Sequence, residues 1–306
     1  GLVMGYQDGG KLALWKYAQQ FTLADHFFHA ALGGSFLNHF WTVCACMPRF
    51  DDAPEKLRAQ LDGSGNLVKD GAVTPDGYAV NTLFSVYMPH PAKADPAQLV
   101  PPQTQRTIGD ALSEKGISWA WYSGGWNDAL AGKPDAVFQY HHQPFAYFEK
   151  YGDGTAARQE HLKDEADLLA DIDRGVLPAV VFWKPIGELN EHPGYADTLA
   201  GDRHLHDVVE KIRKGRLWRS TAIIVTYDEN GGFWDHVPPP RRDRWGPGMR
   251  VPTVIISPFA KRHFVDHTVY DTTSILKLIE TRFALAPLGE RDTNAGDLRN
   301  AFDFHR

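Results

Sequence analysis

Two adjacent acidic residues, Asp228 and Glu229, follow an apolar, β-branched segment and precede the pair Gly231-Gly232. The segment 221–227 is typical of a buried strand, so both carboxylates are expected where that strand ends in a turn. Neighbouring carboxylates at such a place repel one another unless a cation or a proton intervenes. Because oxygen ligands suit divalent metals, we predict that Asp228 and Glu229 bind one. A structural ion pair is the alternative.

The stretch GGSFLNH (33–39) supplies a hydroxyl group at the start of a predicted apolar helix. Ser35 can act there simply as an N-cap. In the functional interpretation Ser35 is a nucleophile, and the helix N-terminus binds a phosphate through backbone N–H groups and the helix dipole. A metal on the Ser35 oxygen would favour the alkoxide, so Ser35 is also a predicted metal ligand. Asn38, one turn further on, is expected to donate to a phosphate oxygen.

Histidines in two proline-containing loops are the next candidates. His142 and His192 can stabilise phosphate charge as imidazolium or protonate a leaving alkoxide. His141 is a weaker candidate of the same kind and is assigned to substrate binding. The alternative for each is a structural histidine, which is the commoner role of an isolated imidazole in proteins. Asp235 and His236 either orient metal ligands or stabilise their own loop.

Apolar runs and amphipathic segments alternate along the chain, which indicates a mostly parallel sheet covered by helices on both faces. The predicted strands are 83–88, 117–122, 179–183, 221–227 and 251–257, and the predicted helices are 11–20, 36–46, 104–115, 160–174, 202–214 and 271–283. Ligands of open α/β sheets bind beyond the carboxyl ends of the strands. The candidate histidines and acids follow three of these strands, so we expect them at one edge of the sheet.

Length and composition limit the remaining possibilities. A chain of 306 residues with 43% hydrophobic content fits one large α/β domain. The net charge of -6 gives no reason to expect a nucleic-acid partner, and no apolar segment is long enough to span a membrane. Cys44 and Cys46 are predicted to be buried thiols, because side chains two apart on a helix diverge and do not favour a disulfide.

Several segments resemble one known family. TAIIVTYDENGGFWDHVPPP, GPGMRVPTVIISPFAK and YDTTSILKLIETRF are similar to the bacterial acid phosphatase and phospholipase C group of the alkaline phosphatase superfamily. FQYHHQPFAYFEKY and KPIGELNEHPGYAD look most like its acid phosphatase branch. The resemblance runs in order over nearly the whole chain. It implies an alkaline-phosphatase-like, three-layer α/β/α sandwich and a phosphorylated serine or threonine intermediate.

The resemblance also assigns roles to particular residues. The family nucleophile lies in a pattern [ST]-x-P-N-R, which corresponds here to Ser35-Phe36-Leu37-Asn38-His39. Leu37 therefore replaces the proline, and His39 replaces the arginine. Asp228 and Glu229 match the family's acidic metal ligands. The active-site histidines of the family correspond to His192 and to the pair His141-His142.

One family feature is missing from the chain. The family carries an early Glu-Asn pair on its first strand that completes the metal site, and this sequence has no such stretch. We therefore expect residues 1–306 to be a single catalytic domain from the C-terminal portion of a longer precursor. A separate N-terminal fragment is the expected partner that supplies the missing strand and ligands.

The sequence thus predicts metal-dependent hydrolysis of phosphate monoesters through a phosphoserine, with one divalent ion that could be Ca²⁺, Mg²⁺, Mn²⁺ or Zn²⁺. Histidines that act in the protonated form would favour acidic pH. One alternative is a phospholipase C-type phosphodiesterase on the same core. Another is a non-catalytic subunit that binds phosphoanions without turnover. A periplasmic, cell-surface or secreted location is implied by the family alone.

Overall fold

The computed structural model describes residues 8–305, so residues 1–7 and 306 of the predicted domain lie outside the described range. Helices and strands alternate along most of this length. The helices are α1 (Ala13–Gln20), α2 (Ser35–Cys44), α3 (Ile108–Glu114), α4 (Trp126–Leu130), α5 (Ala156–His161), α6 (Glu165–Arg174), α7 (Thr198–Lys214), α8 (Thr273–Phe283) and α9 (Glu290–Thr293). None of the helices within the described range is long and apolar enough to cross a bilayer.

Within residues 8–305 the strands form two main sheets and three short pairs. In chain order they are β1 (Thr22–Ala24), β2 (Phe27–Phe28), β3 (Gln60–Leu61), β4 (Leu67–Lys69), β5 (Phe84–Ser85), β6 (Leu99–Val100), β7 (Trp119–Ser123), β8 (Leu162–Asp164), β9 (Val180–Lys184), β10 (Ile223–Thr226), β11 (Thr253–Ile256), β12 (Phe264–Asp266) and β13 (Tyr270–Asp271). A four-stranded sheet has the order β10-β11-β1-β12, and a three-stranded sheet has the order β8-β7-β9.

Helices cover both faces of the three-stranded sheet because its strands carry apolar side chains on alternate sides. Trp119 and Trp121 of β7 face a core shared with α2, α3 and α8. Ala120 and Tyr122, which alternate with them, pack against apolar side chains of α6 and α7. The four-stranded sheet belongs to a second core, which it shares with α1, α7 and α8. The predicted α/β class with helices on both faces is therefore confirmed.

Most strand pairs of the two main sheets are parallel, as predicted, and the described strands depart from this direction at β11. The three-stranded sheet is parallel throughout, but β11 is antiparallel to both β10 and β1 in the other sheet. The reason lies in the connection 227–252, which contains no helix. A parallel neighbour needs a crossover, usually helical, whereas a helix-free connection lets the next strand return antiparallel.

The two cysteines also differ from the prediction, because Cys44 and Cys46 form a disulfide. The expectation of two thiols assumed that both residues lie on one helix, where their side chains would diverge. Helix α2 instead ends at Cys44, and Ala45 adopts a left-handed conformation with φ 48°. That turn brings the two side chains to the same side of the chain, at a Cα–Cα distance of 5.1 Å.

Candidate active site

Three elements meet at one edge of the two sheets. Strand β9 ends at Lys184, strand β10 is followed by Asp228, and helix α2 begins at Ser35. Lys184 Nζ lies 3.2 Å from Asp228 Oδ1. His39, one turn into α2, places Nδ1 3.6 Å from Asp228 Oδ2. The structure therefore brings the predicted nucleophile and one predicted metal ligand together with a lysine and a histidine that were not assigned roles.

Asp228 is held as an anion at this meeting point. Burial by itself raises the pKa of its carboxyl group, but Lys184, His39 and the Ser35 hydroxyl together bring that pKa below its ordinary value. Lys184 has the largest lowering effect, which fits an opposite charge at contact distance. Oδ2 of Asp228 is buried and has no hydrogen-bond partner among the described residues. One carboxylate oxygen is thus available for a ligand beside Ser35.

Ser35 is the first residue of α2, and Gly34 in extended conformation precedes it as N-cap. The predicted cap role therefore belongs to Gly34, and the Ser35 hydroxyl is left beside Asp228. Free backbone N–H groups and the positive end of the dipole lie at the first turn of such a helix. The position combines a hydroxyl nucleophile with a place where a phosphoryl group would be stabilised.

Asn38 has a different environment from the one predicted. Its buried amide accepts a hydrogen bond from Ala31 N at 2.9 Å and donates to the carbonyl oxygens of Ala31, Gly33 and Gly34. These contacts fix the loop that leads into α2. Asn38 therefore positions Ser35 through the backbone, and its contacts give no support to direct phosphate binding.

Three buried histidines form a cluster against α2. The ring of His39 lies 5.2 Å from that of His142 and 5.6 Å from that of His141, between centroids. Burial and then the charge of Lys184 lower the pKa of His39 to about 4, and burial and then His39 lower the pKa of His141 to about 3. The pKa of His142 is also well below its usual value, for the same reasons. The free protein thus holds neutral imidazoles here, in contrast to the predicted imidazolium.

His192 lies close enough to this cluster that a positive charge on its ring would lower the pKa of both His141 and His142. Its ring stacks on Tyr195 at 4.3 Å, and its Nδ1 contacts the carbonyl oxygen of Pro193 at 2.7 Å. The loop after β9 therefore holds His192 in a defined orientation. Tyr195 was not recognised from the sequence, although it lies three residues after His192 in the same proline-containing loop.

Glu229 completes the set of predicted ligands. Its carboxylate accepts a hydrogen bond from Gly231 N at 2.7 Å, so the glycine pair turns the chain back on Glu229. Burial and then the charge of Asp228 raise its pKa, and a cation between the two acids would relieve that repulsion. The oxygen donors of Ser35, Asp228 and Glu229, with the unpartnered Asp228 Oδ2, fit a hard divalent ion. In the structure described here, Lys184 supplies the positive charge next to Asp228.

Asp235 and His236 lie further along the same loop. Asp235 accepts two hydrogen bonds from Arg250, at 2.7 and 3.0 Å. The side chain of His236 is 76% exposed and lies 3.5 Å from Asp235. Of the two alternatives considered for this pair, these contacts favour stabilisation of the loop.

Comparison with known proteins identifies the family of this chain. The model of the phosphoesterase family matches residues 1–286. The chain belongs to the phosphoesterase family. This confirms the family resemblance found in the sequence.

Curated relatives of this phosphoesterase carry the name phospholipase C. Phospholipase C B of Mycobacterium tuberculosis is 29% identical over 65% of this chain and 43% of its own length. Phospholipase C A of the same organism is 28% identical over 99% of this chain and 57% of its own length. The chain thus spans about half the length of these relatives. A protein in the alkaline phosphatase superfamily from Vibrio parahaemolyticus shares 11% identity with a TM-score of 0.48, covering 95% of this chain and 65% of that one.

Proposed function

We propose that this phosphoesterase hydrolyses phosphodiesters of the phospholipase C type, with Ser35 as the nucleophile. The observation that carries the proposal is the contact between Asp228, Lys184 and the start of α2, which surrounds one hydroxyl group with charged partners. The choice of diesters rests on the relatives, which are phospholipases C and share this family. The prediction of a phosphoric-ester hydrolase agrees with both.

In the proposed reaction the Ser35 oxygen attacks phosphorus in line with the leaving alkoxide. Backbone N–H groups at the start of α2 bind the phosphoryl oxygens. The Lys184 ammonium group, which contacts Asp228, offsets the negative charge of this carboxylate and of the phosphoryl group. A divalent metal bound by Ser35, Asp228 and Glu229 would add positive charge and favour the alkoxide. His192 protonates the departing oxygen, the neutral imidazole of His142 donates a hydrogen bond to a phosphoryl oxygen, and water then releases the phosphoryl group from Ser35. His141, in the same histidine cluster, is the proposed substrate contact.

Phosphate monoesters are the second candidate substrates. The segments around His141-His142 and His192 resemble the acid phosphatase branch, and the structure brings His141 and His142 into one cluster with His39. Both substrate classes use the same nucleophile and the same positive charge. They differ in whether the site tolerates a second ester group on phosphorus.

Hydrolysis of bis-p-nitrophenyl phosphate and of p-nitrophenyl phosphate distinguishes the two, measured from pH 4 to 9 (about the range in which histidines titrate) with and without EDTA. The proposal predicts a higher kcat/KM for the diester and loss of both activities in Ser35→Ala. Ser64→Ala, which changes an exposed serine of the loop before β4, is the matched control. Preference for the monoester would instead select the acid phosphatase activity. Vanadate binding without turnover of either ester would select the non-catalytic alternative.

A further inference from the structure

A second group of metal-binding side chains lies away from Ser35, at the carboxyl ends of β1 and β12. These two strands are parallel neighbours, with Ala24 in register with Asp266. The next residue of each strand is therefore brought to the same place, and Asp25 meets His267 there. His26 follows Asp25 directly, so the register of two strands assembles all three side chains.

The three side chains already converge on one carboxylate. His26 Nδ1 lies 2.8 Å from Asp25 Oδ1, and His267 Nδ1 lies 2.8 Å from Asp25 Oδ2. One ligand atom from each residue falls within 4.8 Å of the other two. Within residues 8–305 this is the one set of three or more histidine, cysteine or acidic side chains that meets this distance. An ion at its centre needs only a small contraction to reach metal–ligand distances near ~2.1 Å.

The donor set defines the kind of ion. Two imidazole nitrogens and one carboxylate oxygen suit borderline cations such as Zn²⁺ or Co²⁺, whereas Ca²⁺ and Mg²⁺ prefer all-oxygen sites. The side chain of His267 is 73% exposed, and those of His26 and Asp25 are 34% and 28% exposed. A tetrahedral ion held by three protein ligands would therefore keep a fourth position open to water.

A cationic side chain also approaches Asp25. Arg250 donates a hydrogen bond to the backbone carbonyl oxygen of Asp25 at 3.1 Å. The guanidinium charge is balanced by two hydrogen bonds to Asp235, so it opposes a bound cation only weakly.

We propose that Asp25, His26 and His267 form a binding site for a Zn²⁺-class divalent ion, separate from the oxygen-rich Ser35 site. The ion would join parts of the chain that lie 242 residues apart at Asp25 and His267. Because the unfolded chain does not hold these ligands together, binding stabilises the folded state. The proposal does not depend on the proposed function.

Zn²⁺ affinity and stoichiometry, measured on the full chain by competition with a chromophoric chelator, test the site. The double variant His26→Ala/His267→Ala should lose one equivalent of tight Zn²⁺, with affinity at that site weakened by roughly 100-fold or more. The double variant Asp228→Asn/Glu229→Gln should keep that equivalent, which separates it from the Ser35 site. His305→Ala, which removes an exposed histidine near the C-terminus, is the matched control and should bind as wild type. Co²⁺ should give tetrahedral absorption bands in wild type that the His26/His267 variant lacks.

Thermal unfolding with and without Zn²⁺ shows whether each variant is folded and whether Zn²⁺ stabilises it. Zn²⁺ should raise the Tm of wild type and of His305→Ala by a few degrees, and the rise should be much smaller in the His26→Ala/His267→Ala variant, in which Zn²⁺ can still bind at the Ser35 site. The milder variant Asp25→Asn should show an intermediate rise, since it keeps both imidazoles. Wild-type stoichiometry and an unchanged Zn²⁺-dependent Tm rise in the double histidine variant would overturn the proposal.

Discussion

The carboxyl groups of Asp228, which is partly buried, and of Glu280, which is buried, have opposite pKa shifts. Asp228, after β10, has a lowered pKa because Lys184, His39 and Ser35 outweigh the effect of burial. Glu280, in α8, is 3% exposed, and neither of its carboxyl oxygens has a hydrogen-bond partner among the described residues. Burial and then Asp292 raise the pKa of Glu280 to about 8.

The difference lies in what the fold places next to each acid. Asp228 lies where β9, β10 and α2 come together, so a lysine from one strand end and a histidine from a helix reach it. Glu280 faces helix α9 and its neighbouring acid Asp292. Burial alone therefore yields a protonated acid, and an anion persists where a second element supplies a cation. The proposed chemistry requires the second arrangement.

Removal of the cation from Asp228 should have the largest effect. In Lys184→Met the partly buried carboxylate loses its charged partner, so we expect kcat/KM to fall by about 100-fold. The free energy of unfolding should fall by about 2–3 kcal/mol for the same reason. Urea unfolding and steady-state kinetics on bis-p-nitrophenyl phosphate measure both quantities. Lys69→Met, at an exposed position in β4, is the control.

The double variant Lys184→Met/Asp228→Asn separates stability from catalysis. With both charges gone, stability should recover most of the loss while activity stays low. Full activity in Lys184→Met with unchanged stability would show that Asp228 does not need this lysine.

Asn38 contrasts with both acids, because its buried side chain is uncharged and has hydrogen-bond partners for both its oxygen and its nitrogen. Asn38→Ala removes the buried amide that holds Ala31, Gly33 and Gly34, and it leaves Ala31 N without its partner. The expected loss of stability is about 2 kcal/mol. Since Ser35 follows this loop, kcat should fall by about 10-fold with little change in KM. Asn66→Ala, in an exposed turn, is the control, and an unchanged kcat would argue against positioning by Asn38.

The pH dependence of stability tests Glu280. Its pKa in the folded state is about 8, above the ordinary 4.5, so between these values the native state binds a proton that the unfolded state has lost. Stability therefore falls as pH rises through this window. Glu280→Gln removes that dependence and should be more stable than wild type by about 1–2 kcal/mol at alkaline pH, with the difference vanishing near pH 4.

Thermal unfolding of wild type and of Glu280→Gln, recorded from acidic to alkaline pH, measures this difference in stability. Glu55→Gln, an exposed acid, should follow the wild-type curve. A wild-type stability that stays constant across the window would mean that Glu280 is already ionised in the native state.

Periodicity predicted the elements well, because helices such as 202–214 and strands such as 117–122 carry clear apolar patterns and appear within a few residues of the expected bounds. Strand direction was not predictable in the same way. A buried strand has the same apolar pattern whether it is parallel or antiparallel to its neighbour. The residues of β11 therefore do not predict that it runs antiparallel to β10.

The candidate site was predictable where residue type and strand end coincided, as for Asp228 and His192. Lys184 directly follows the predicted strand 179–183, but its partner comes from a different part of the chain, and spacing alone does not reveal such pairs. Asn38 was assigned to phosphate because one helical turn separates it from Ser35. Its preference for backbone partners depends on how residues 31–34 fold. The Cys44–Cys46 disulfide was missed because it depends on where α2 ends.

Locating phosphorus on the protein during turnover tests most directly whether Ser35 is the nucleophile. Wild type is mixed with excess bis-p-nitrophenyl phosphate, quenched in acid at steady state and digested for peptide mass spectrometry. We predict a peptide that carries a p-nitrophenylphosphoryl group on Ser35, because one of the two nitrophenolates has left, and this peptide should be absent from Ser35→Ala and present in Ser64→Ala. Turnover that continues in Ser35→Ala, or phosphorus found on another residue of an active enzyme, would contradict it.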